Sequence, residues 1–316
     1  MAATNPAFSV VVPVYNCAKY LKPCLDSLER QTFADWEAVC VDDGSTDGSG
    51  AVLDDYAARD GRFRVIHQVN GGVGAARNAA LKAVRGDWIV FLDGDDMLAG
   101  HAFELLSRAA GDMPCAEVVC FGLEDVDVGA VSYSPPLPPT GVRVVDVSGK
   151  LPNVALSHGF CCRGYRRELV ADEEFPRYRT GEDLVFLTRV MLRVKRAGLL
   201  PVPLYGYRQF DRTSGGFDWI MDYMDFCEDV LVMLLRTELP VDPAEYRRYL
   251  KGATKRVLRA IRGLSGDEAA RAWERWWRMA SALLACPHLP RAHRWRLCAA
   301  TTVRSRLLVG LLYRAW

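Results

Sequence analysis

"VCVDDGSTDGS", Val39 to Ser49, decides the fold. An apolar run of strand character stops on two adjacent carboxylates, Asp42 and Asp43, and passes into small hydroxyl and glycine residues. Ser45, Thr46 and Asp47 are good N-caps for a helix running through Val52, Leu53 and Tyr56. The same succession repeats on either side. Phe8 to Val12 is an apolar run ending at Pro13, followed by Tyr20, Leu21, Cys24, Leu25 and Leu28 at helical spacing. Phe63 to Val69 leads to Ala75 to Val84, and Trp88 to Leu92 leads to Ala102 to Ala109. Alternation of short apolar runs with helical patterns predicts a βαβαβαβα layout, and right-handed crossovers make it a mostly parallel sheet with helices on both faces. Ligands of such sheets bind at the carboxyl ends of the strands, where Asp42 and Asp43 fall.

Half of the 316 residues are hydrophobic, enough for a sizeable core. Met1 to Pro6 lack the basic and apolar regions of a signal peptide, and no window of about 18 uninterrupted apolar residues occurs, so a soluble or membrane-peripheral, cytoplasmic protein is expected. The ten cysteines are scattered, with no CxxC spacing, and are read as reduced thiols; adjacent Cys161 and Cys162 are read as small hydrophobes in a strand. A net charge of +1 conceals about +11 over 241–316 against −10 over 1–240, which implies two regions with different partners.

Further along, Val118 to Leu123 is a fifth apolar run, Tyr133 to Gly141 is a Pro-rich exposed loop, and Val142 to Val147 is a strand candidate. Arg179 to Gly198 reads as a helix with Leu184, Leu187, Val190, Met191 and Val194 on one face, followed by an extended "LLPVPLYGYRQF". Only helical periodicity follows residue 218. The expected division is a domain over 1–217, with halves of about 8–123 and 124–217, and a basic helical region over 218–316.

Three acidic sites could carry chemistry. Asp42-Asp43 ends the second strand. "WIVFLDGDDM", Trp88 to Met97, runs into three carboxylates within four positions, which repel one another unless a cation or a basic group neutralises them. Hard cations such as Mg²⁺ or Mn²⁺ suit such oxygen ligands, and Asp93 and Asp95 would point the same way if the strand continued through them. "TGEDLVF", Thr180 to Phe186, opens a helix with Glu182 and Asp183, residues that the helix dipole alone would also favour there.

"SVVVPVYNCAKYLKPCLDSLERQTFADWEAVCVDDGSTDGS", "NGGVGAARNAAL", "WIVFLDGDDML" and "GEDLVF", in that order, resemble the successive motifs of the inverting family 2 glycosyltransferases of the GT-A fold, over roughly Phe8 to Arg208. The resemblance implies that Pro13 and Tyr15 end the first strand with the tyrosine against a nucleotide base, and that Asp43 accepts a hydrogen bond from that base, usually uracil. Asn70, Arg77 and Asn78 match a segment whose arginine lies near the nucleotide. Asp93, Asp95 and Asp96 match the DxD element, with Asp95 the leading ligand of Mg²⁺ or Mn²⁺ and the other two holding ribose, metal-bound water or the outer coordination sphere. Asp183, beside Glu182, matches the family's base. Tyr207, Arg208 and Ser214 resemble a loop closing over donor or acceptor. The implied activity is transfer of a sugar from a nucleotide donor, usually a UDP-sugar, to a saccharide or lipid-linked acceptor in polysaccharide or glycolipid synthesis.

"RAWERWWRMASALLACPHL" sets Trp273, Trp276, Trp277, Ala280, Leu283 and Leu284 on one helical face beside Arg271, Arg275 and Arg278. Such a face either lies in anionic headgroups at the inner membrane face or packs on protein. No nucleic-acid motif accompanies the positive charge. Two other readings remain open at this stage. One is a non-catalytic carbohydrate- or partner-binding protein on a decayed GT-A domain, against which intact Asp43, Asp95 and Asp183 count. The other is a sugar-nucleotide pyrophosphorylase, whose Gly-rich phosphate loop is missing after the first strand.

Overall fold

The computed structural model describes residues 5–136, 143–147, 159–210, 217–236, 257, 260, 261 and 263–285. The chain divides into two compact units, 1–177 with 193–211, and 178–192 with 212–316.

The first unit is built on one sheet. Strands β1 (Phe8–Val14), β2 (Trp36–Asp42), β3 (Phe63–His67) and β4 (Trp88–Phe91) alternate with helices α1 (Ala18–Glu29), α2 (Ser49–Arg59) and α3 (Val73–Leu81), as the hydrophobic periods predict. β5 (Met97–Leu98), α4 (Ala102–Asp112), β6 (Val118–Val126), β7 (Val145–Asp146), β8 (Arg163–Arg166), α5 (Arg167–Val170) and β9 (Ala197–Arg208) follow. The strand order is β3-β2-β1-β4-β8-β6-β9-β5, with β7 on β9. β1 to β4 are mutually parallel. Beyond them the sheet is mixed, because β8 runs antiparallel to both neighbours and β5 and β7 antiparallel to β9. Among the described strands, parallel pairing returns in this half between β6 and β9, with an irregular register around Gly122. Every residue of β1 and β2 is buried, which accounts for their continuous apolar reading.

Strand order reverses at β1, which is flanked by β2 on one side and β4 on the other. The ends of these three strands therefore border the crevice in which open α/β sheets bind ligands.

Two buried polar residues fix the register at the opposite end. Ser9 and Glu37 are partners across β1 and β2, and the Ser9 hydroxyl donates to Glu37 Oε1 at 2.7 Å. Arg85 and Arg64 close on Glu37 Oε2, at 2.6 Å for Arg85 Nη2 and 3.0 Å for Arg64 Nη1. The Gly86 amide donates to Ser9 Oγ at 2.8 Å, and a Cβ on Gly86 would stand 2.5 Å from the Ser9 nitrogen. Only glycine lets the α3–β4 connection approach β1 this closely.

Among its described residues the second unit contains α6 (Glu182–Met191), α7 (Phe217–Arg236) and α8 (Gly266–Ala285). The helix carrying Glu182 and Asp183 thus groups with the C-terminal helices. Gly181 caps α6 at φ +79°, and the Phe226 ring of α7 fills the space a Cβ would need. The tryptophan face of α8 is internal: Trp273, Trp276, Met279 and Ala280 are buried, while Arg275 sits between Asp225 at 2.5 Å and Glu228 at 2.6 Å of α7. Of the two coverings left open for this face, Trp273 and Trp276 take packing on protein, while Trp277 is half-buried. Leu283 and the basic stretch 304–316 lie outside the described residues. No described helix is long and apolar enough to cross a membrane.

Glu37→Leu should lower stability by about 3 kcal/mol in denaturant titration at pH 7, because it strands two arginines and a buried hydroxyl. Burial works to raise the Glu37 pKa, yet the hydrogen bonds from Arg85, Ser9 and Arg64 win and hold it below the usual carboxylate value. A depressed carboxylate contributes stability above its unfolded value, about 4.3, and loses that contribution as pH falls further. The variant should therefore show a shallower loss of stability than the wild type below about pH 4.

Candidate active site

At the end of β1 the chain turns outward. Pro13 is the last buried residue but one of the strand, and Tyr15 projects with 53 % of its surface exposed, so its ring is not a core aromatic and is accessible to a ligand. Asn16 follows at φ +48°.

Asp43, immediately after β2, is 2 % exposed. Its Oδ1 accepts the Gln68 Nε2 at 2.6 Å and the Gly71 amide at 2.9 Å, and its Oδ2 accepts the Gly72 amide at 2.8 Å. A carboxylate offers about four acceptor positions, so three are spent holding the 68–72 loop and one, on Oδ2, can still meet an N–H donor. Asn70 rides exposed on that loop beside Val69. Gly44, at φ +74°, lies so close to the loop that a Cβ would come within 2.9 Å of the Asn70 nitrogen.

Asp42 has a different task. Its Oδ1 accepts the Ser45 amide at 2.9 Å and its Oδ2 meets His67 Nδ1 at 3.0 Å, while His67 Nε2 meets Asp54 at 3.0 Å. Hydrogen bonds to the two carboxylates raise the His67 pKa, against a small effect of burial.

The "GSTDGS" loop corrects the expected capping of α2, which begins after Gly48 with no side-chain cap. Ser45, Ser49 and Asp47 instead accept the backbone N–H groups of Asn16, Cys17 and Ala18 at 3.1, 3.0 and 3.0 Å. They cap α1, which has no cap from its own Cys17. Only Asp47 also reaches forward, to the Ser49 amide at 3.0 Å.

After β4 the three carboxylates lie in a tight turn, closed by the Asp96 amide on the Asp93 carbonyl at 3.0 Å. The strand does not continue through them, so they diverge rather than share one face. Asp93 Oδ1 pairs with Arg77 Nη2 at 2.8 Å. Arg77 is buried, not on the helix surface, with its guanidinium 5.1 and 5.3 Å from the Phe160 and Phe175 rings. Its neighbour Asn78 pins residue 175 through paired bonds to the Phe175 backbone, at 3.0 and 2.8 Å. Asp96 points into the protein, where Oδ2 accepts the Tyr205 hydroxyl and Oδ1 the Arg208 amide, each at 2.7 Å. Burial and the nearby Asp93 and Asp95 push its pKa up to about 7 in spite of those two bonds. Asp95 remains half-buried at the turn.

Among the described residues no three His, Cys, Asp or Glu side chains form a ready metal-binding group. Asp96 is spent on Tyr205 and Arg208, and Asp93 is shared with Arg77. The remaining donor set, oxygen throughout, fits a hard divalent cation held by one or two carboxylates and completed by phosphate and water oxygens, the habit of Mg²⁺. Cys161 and Cys162 occupy the turn before β8, not the strand. The Cys161 thiol lies 3.7 Å from Asp93 Oδ2, and burial, with Asp93 close by, pushes its pKa far up, so it is no thiolate ligand. All eight described cysteines are free.

Arg208 also departs from the expected ligand-closing role. It is 1 % exposed, and its guanidinium donates to the carbonyls of Asp95, Asp127, Val128 and Ala130. It braces the aspartate turn from behind. Tyr205, which also accepts the Asp93 amide at 3.2 Å, was invisible to motif reading because nothing in its local sequence marks it as a partner of the turn. Ser214 lies outside the described residues.

Glu182 and Asp183 open α6 in the second unit. Glu182 is buried, whereas Asp183 is half-buried and accepts the Leu184 amide at 2.8 Å. Pro13, Tyr15, Asp43, Asn70, Arg77, Asp93, Asp95 and Asp96 thus belong to one unit and the acidic pair of α6 to the other.

Residues 9–172 match the family model described as glycosyl transferase family 2. The uncharacterized glycosyltransferase EpsJ of Bacillus subtilis (strain 168) is 36% identical over 216 residues, which cover 65% of this chain and 61% of EpsJ. The chondroitin synthase of Escherichia coli is 43% identical over 100 residues, 32% of this chain and 15% of the synthase. The chain therefore spans less than two thirds of these relatives' length. In structure, S. aureus TarS residues 1-349 in complex with UDP is similar at a TM-score of 0.75, covering 98% of this chain and 90% of that one at 21% identity, which shows a shared GT-A fold. A family match across more than half of the 316 residues, lying over the strand ends that gather these carboxylates, establishes that the chain belongs to glycosyl transferase family 2.

Proposed function

We propose that the protein transfers a sugar from a nucleoside-diphosphate donor, a UDP-sugar, to a saccharide or lipid-linked saccharide acceptor, with inversion, in the synthesis of a polysaccharide or glycolipid. The observation that carries this reading is the state of Asp43: a buried carboxylate with three of about four acceptor positions committed to one loop, on a residue whose amide donates to the Val14 carbonyl at 2.8 Å, one residue before the exposed Tyr15. One remaining acceptor suits the single ring N–H of uracil, and Tyr15 supplies a face for the base. The presence of UDP in S. aureus TarS supports the choice of nucleotide.

In this reading Asp95 and Asp93 hold Mg²⁺ or Mn²⁺. The cation supplies charge stabilisation for the departing diphosphate. Arg77 keeps Asp93 oriented, and Arg208 and Tyr205 hold the turn rigid, so the carboxylates need not reorganise as charge develops. Asp183 takes the proton from the acceptor hydroxyl as that oxygen attacks the anomeric carbon, because a neutral hydroxyl is a poor nucleophile near pH 7. A single displacement with one base inverts the configuration. Glu182, buried, positions the start of α6. Saccharide synthesis by the chondroitin synthase relative supports a sugar acceptor.

Thermal unfolding of the full chain with UDP, GDP, dTDP and CMP, each with Mn²⁺ and with excess chelator, tests the donor. UDP with Mn²⁺ should stabilise by about 2.7 kcal/mol at a hundredfold excess over Kd, and chelator should remove most of the gain. Absence of a shift with every nucleotide would favour a binding protein on a decayed domain. Asp183→Asn should keep the UDP shift and lose about 10²- to 10⁴-fold in transfer. Undiminished transfer by the variant would remove Asp183 from the mechanism.

A further inference from the structure

In the second unit a cavity of about 390 Å³ is lined by Arg179, Phe217, Asp218, Trp219 and Glu268. Its size falls within the range of about 300–1,000 Å³ usual for small-molecule sites. Three chain segments meet there: the residues leading into α6, the first turn of α7 and the first turn of α8.

Its walls are fixed by side-chain and backbone contacts. The Arg179 guanidinium donates to Asp218 Oδ2 at 2.7 Å, and the Arg179 amide donates to Asp222 at 3.2 Å. The Arg271 guanidinium lies 4.7 Å from the Phe217 ring centre, and the Trp219 ring packs 5.0 Å from Tyr223. Both aromatic rings are thereby held in place while remaining only half-buried.

The lining is selective in its chemistry. Asp218 and Glu268 line the cavity with Arg179, and Asp222 beside Arg179 and Arg271 on the Phe217 ring bring the charges to three carboxylates against two guanidiniums, an excess of negative charge that disfavours phosphate and other acidic ligands. A simple cation would leave Arg179 facing a like charge. A neutral polyol satisfies every lining group at once: hydroxyls donate to Asp218 and Glu268, accept from Arg179, and the C–H face of a pyranose covers the rings of Trp219 and Phe217.

We infer that this cavity is a binding subsite for a neutral pyranoside unit of the acceptor. Its assignment to the acceptor rests on the proposed transferase activity, and on Arg179 standing three residues before Glu182 at the entrance to α6. The binding of a pyranoside does not depend on that activity.

Saturation-transfer NMR on the full chain tests the inference, with methyl β-glucoside, methyl β-galactoside, methyl β-N-acetylglucosaminide and tetramethylammonium as probes. At least one glycoside should receive saturation. Trp219→Ala should cut that signal tenfold or more, and Asp218→Asn, which leaves the rings intact, should cut it several-fold. Both variants should retain the wild-type melting temperature and its response to UDP with Mn²⁺, which shows that they fold. No signal from any glycoside, an undiminished signal in Trp219→Ala, or saturation of tetramethylammonium alone would overturn the inference. Glycoside binding that is sensitive to Trp219, in a wild-type protein that fails to respond to UDP, GDP, dTDP and CMP alike with Mn²⁺, would uphold the pocket and remove the transferase reading.

Discussion

Crowding of like charge at the carboxyl ends of β2 and β4 is the constraint around which the first unit is organised. Asp42, Asp43, Asp93, Asp95 and Asp96 gather where three parallel strands end, and such a gathering is unfavourable unless each carboxylate is compensated. The fold compensates them separately. Asp42 takes Ser45 and His67, Asp43 takes the amides of Gly71 and Gly72, Asp93 takes Arg77, and Asp96 takes Tyr205 and the Arg208 amide. Each pairing ties a different loop to the strand ends, so the groups that neutralise the site also shape it. Backbone amides do this at Asp43 without adding a mobile cation, which keeps the carboxylate in one orientation.

What the sequence made legible was whatever depends on local period and chain order. β1 to β4 and their helices follow from the hydrophobic alternation, and the placement of Asp43 and the aspartate turn at strand ends follows from the parallel topology. Partners distant along the chain were hidden. Ser45, Thr46 and Asp47 have capping chemistry for α2, yet Ser45 and Asp47, together with Ser49, serve the backbone of residues 16 to 18, about thirty positions earlier. Propensity says that such a side chain will cap something, but not which helix end is nearest. Arg208 was hidden for a related reason: a charged residue in a motif is expected at the ligand, whereas burial with its guanidinium on four carbonyls makes it a strut, and Asp96 accepts from Tyr205 and the Arg208 amide. The tryptophan face of α8 shows the converse ambiguity, because amphipathic periodicity marks a face that must be covered without saying whether protein or lipid covers it.

Glycine marks two of the tightest places, and for different reasons. Gly86 is needed because its chain runs against the β1 backbone, an approach with no conformational requirement of its own. Gly181 is needed twice over, by its left-handed backbone and by the Phe226 ring that occupies the space of a side chain. The second case matters for chemistry, since Gly181 is the residue from which α6 starts and Glu182 and Asp183 follow directly. Their position is therefore set by packing against α7 as much as by the acidic preference of a first helical turn.

The division of labour among the three aspartates of the turn bears on how metal and donor relate in the proposed mechanism. With Asp96 committed to Tyr205 and Arg208, and Asp93 shared with Arg77, the described carboxylates of the turn would not by themselves enclose a hard divalent cation. Phosphate oxygens of the donor complete such a shell. Binding of the cation and of the nucleoside diphosphate is then mutually reinforcing, and linkage requires each to raise the affinity of the other by the same factor. Arg77 has a part in this coupling. By holding one oxygen of Asp93 it would lower the negative charge available to a lone cation, so that in the proposed mechanism metal binding without the diphosphate would be weaker and the site would favour the two together.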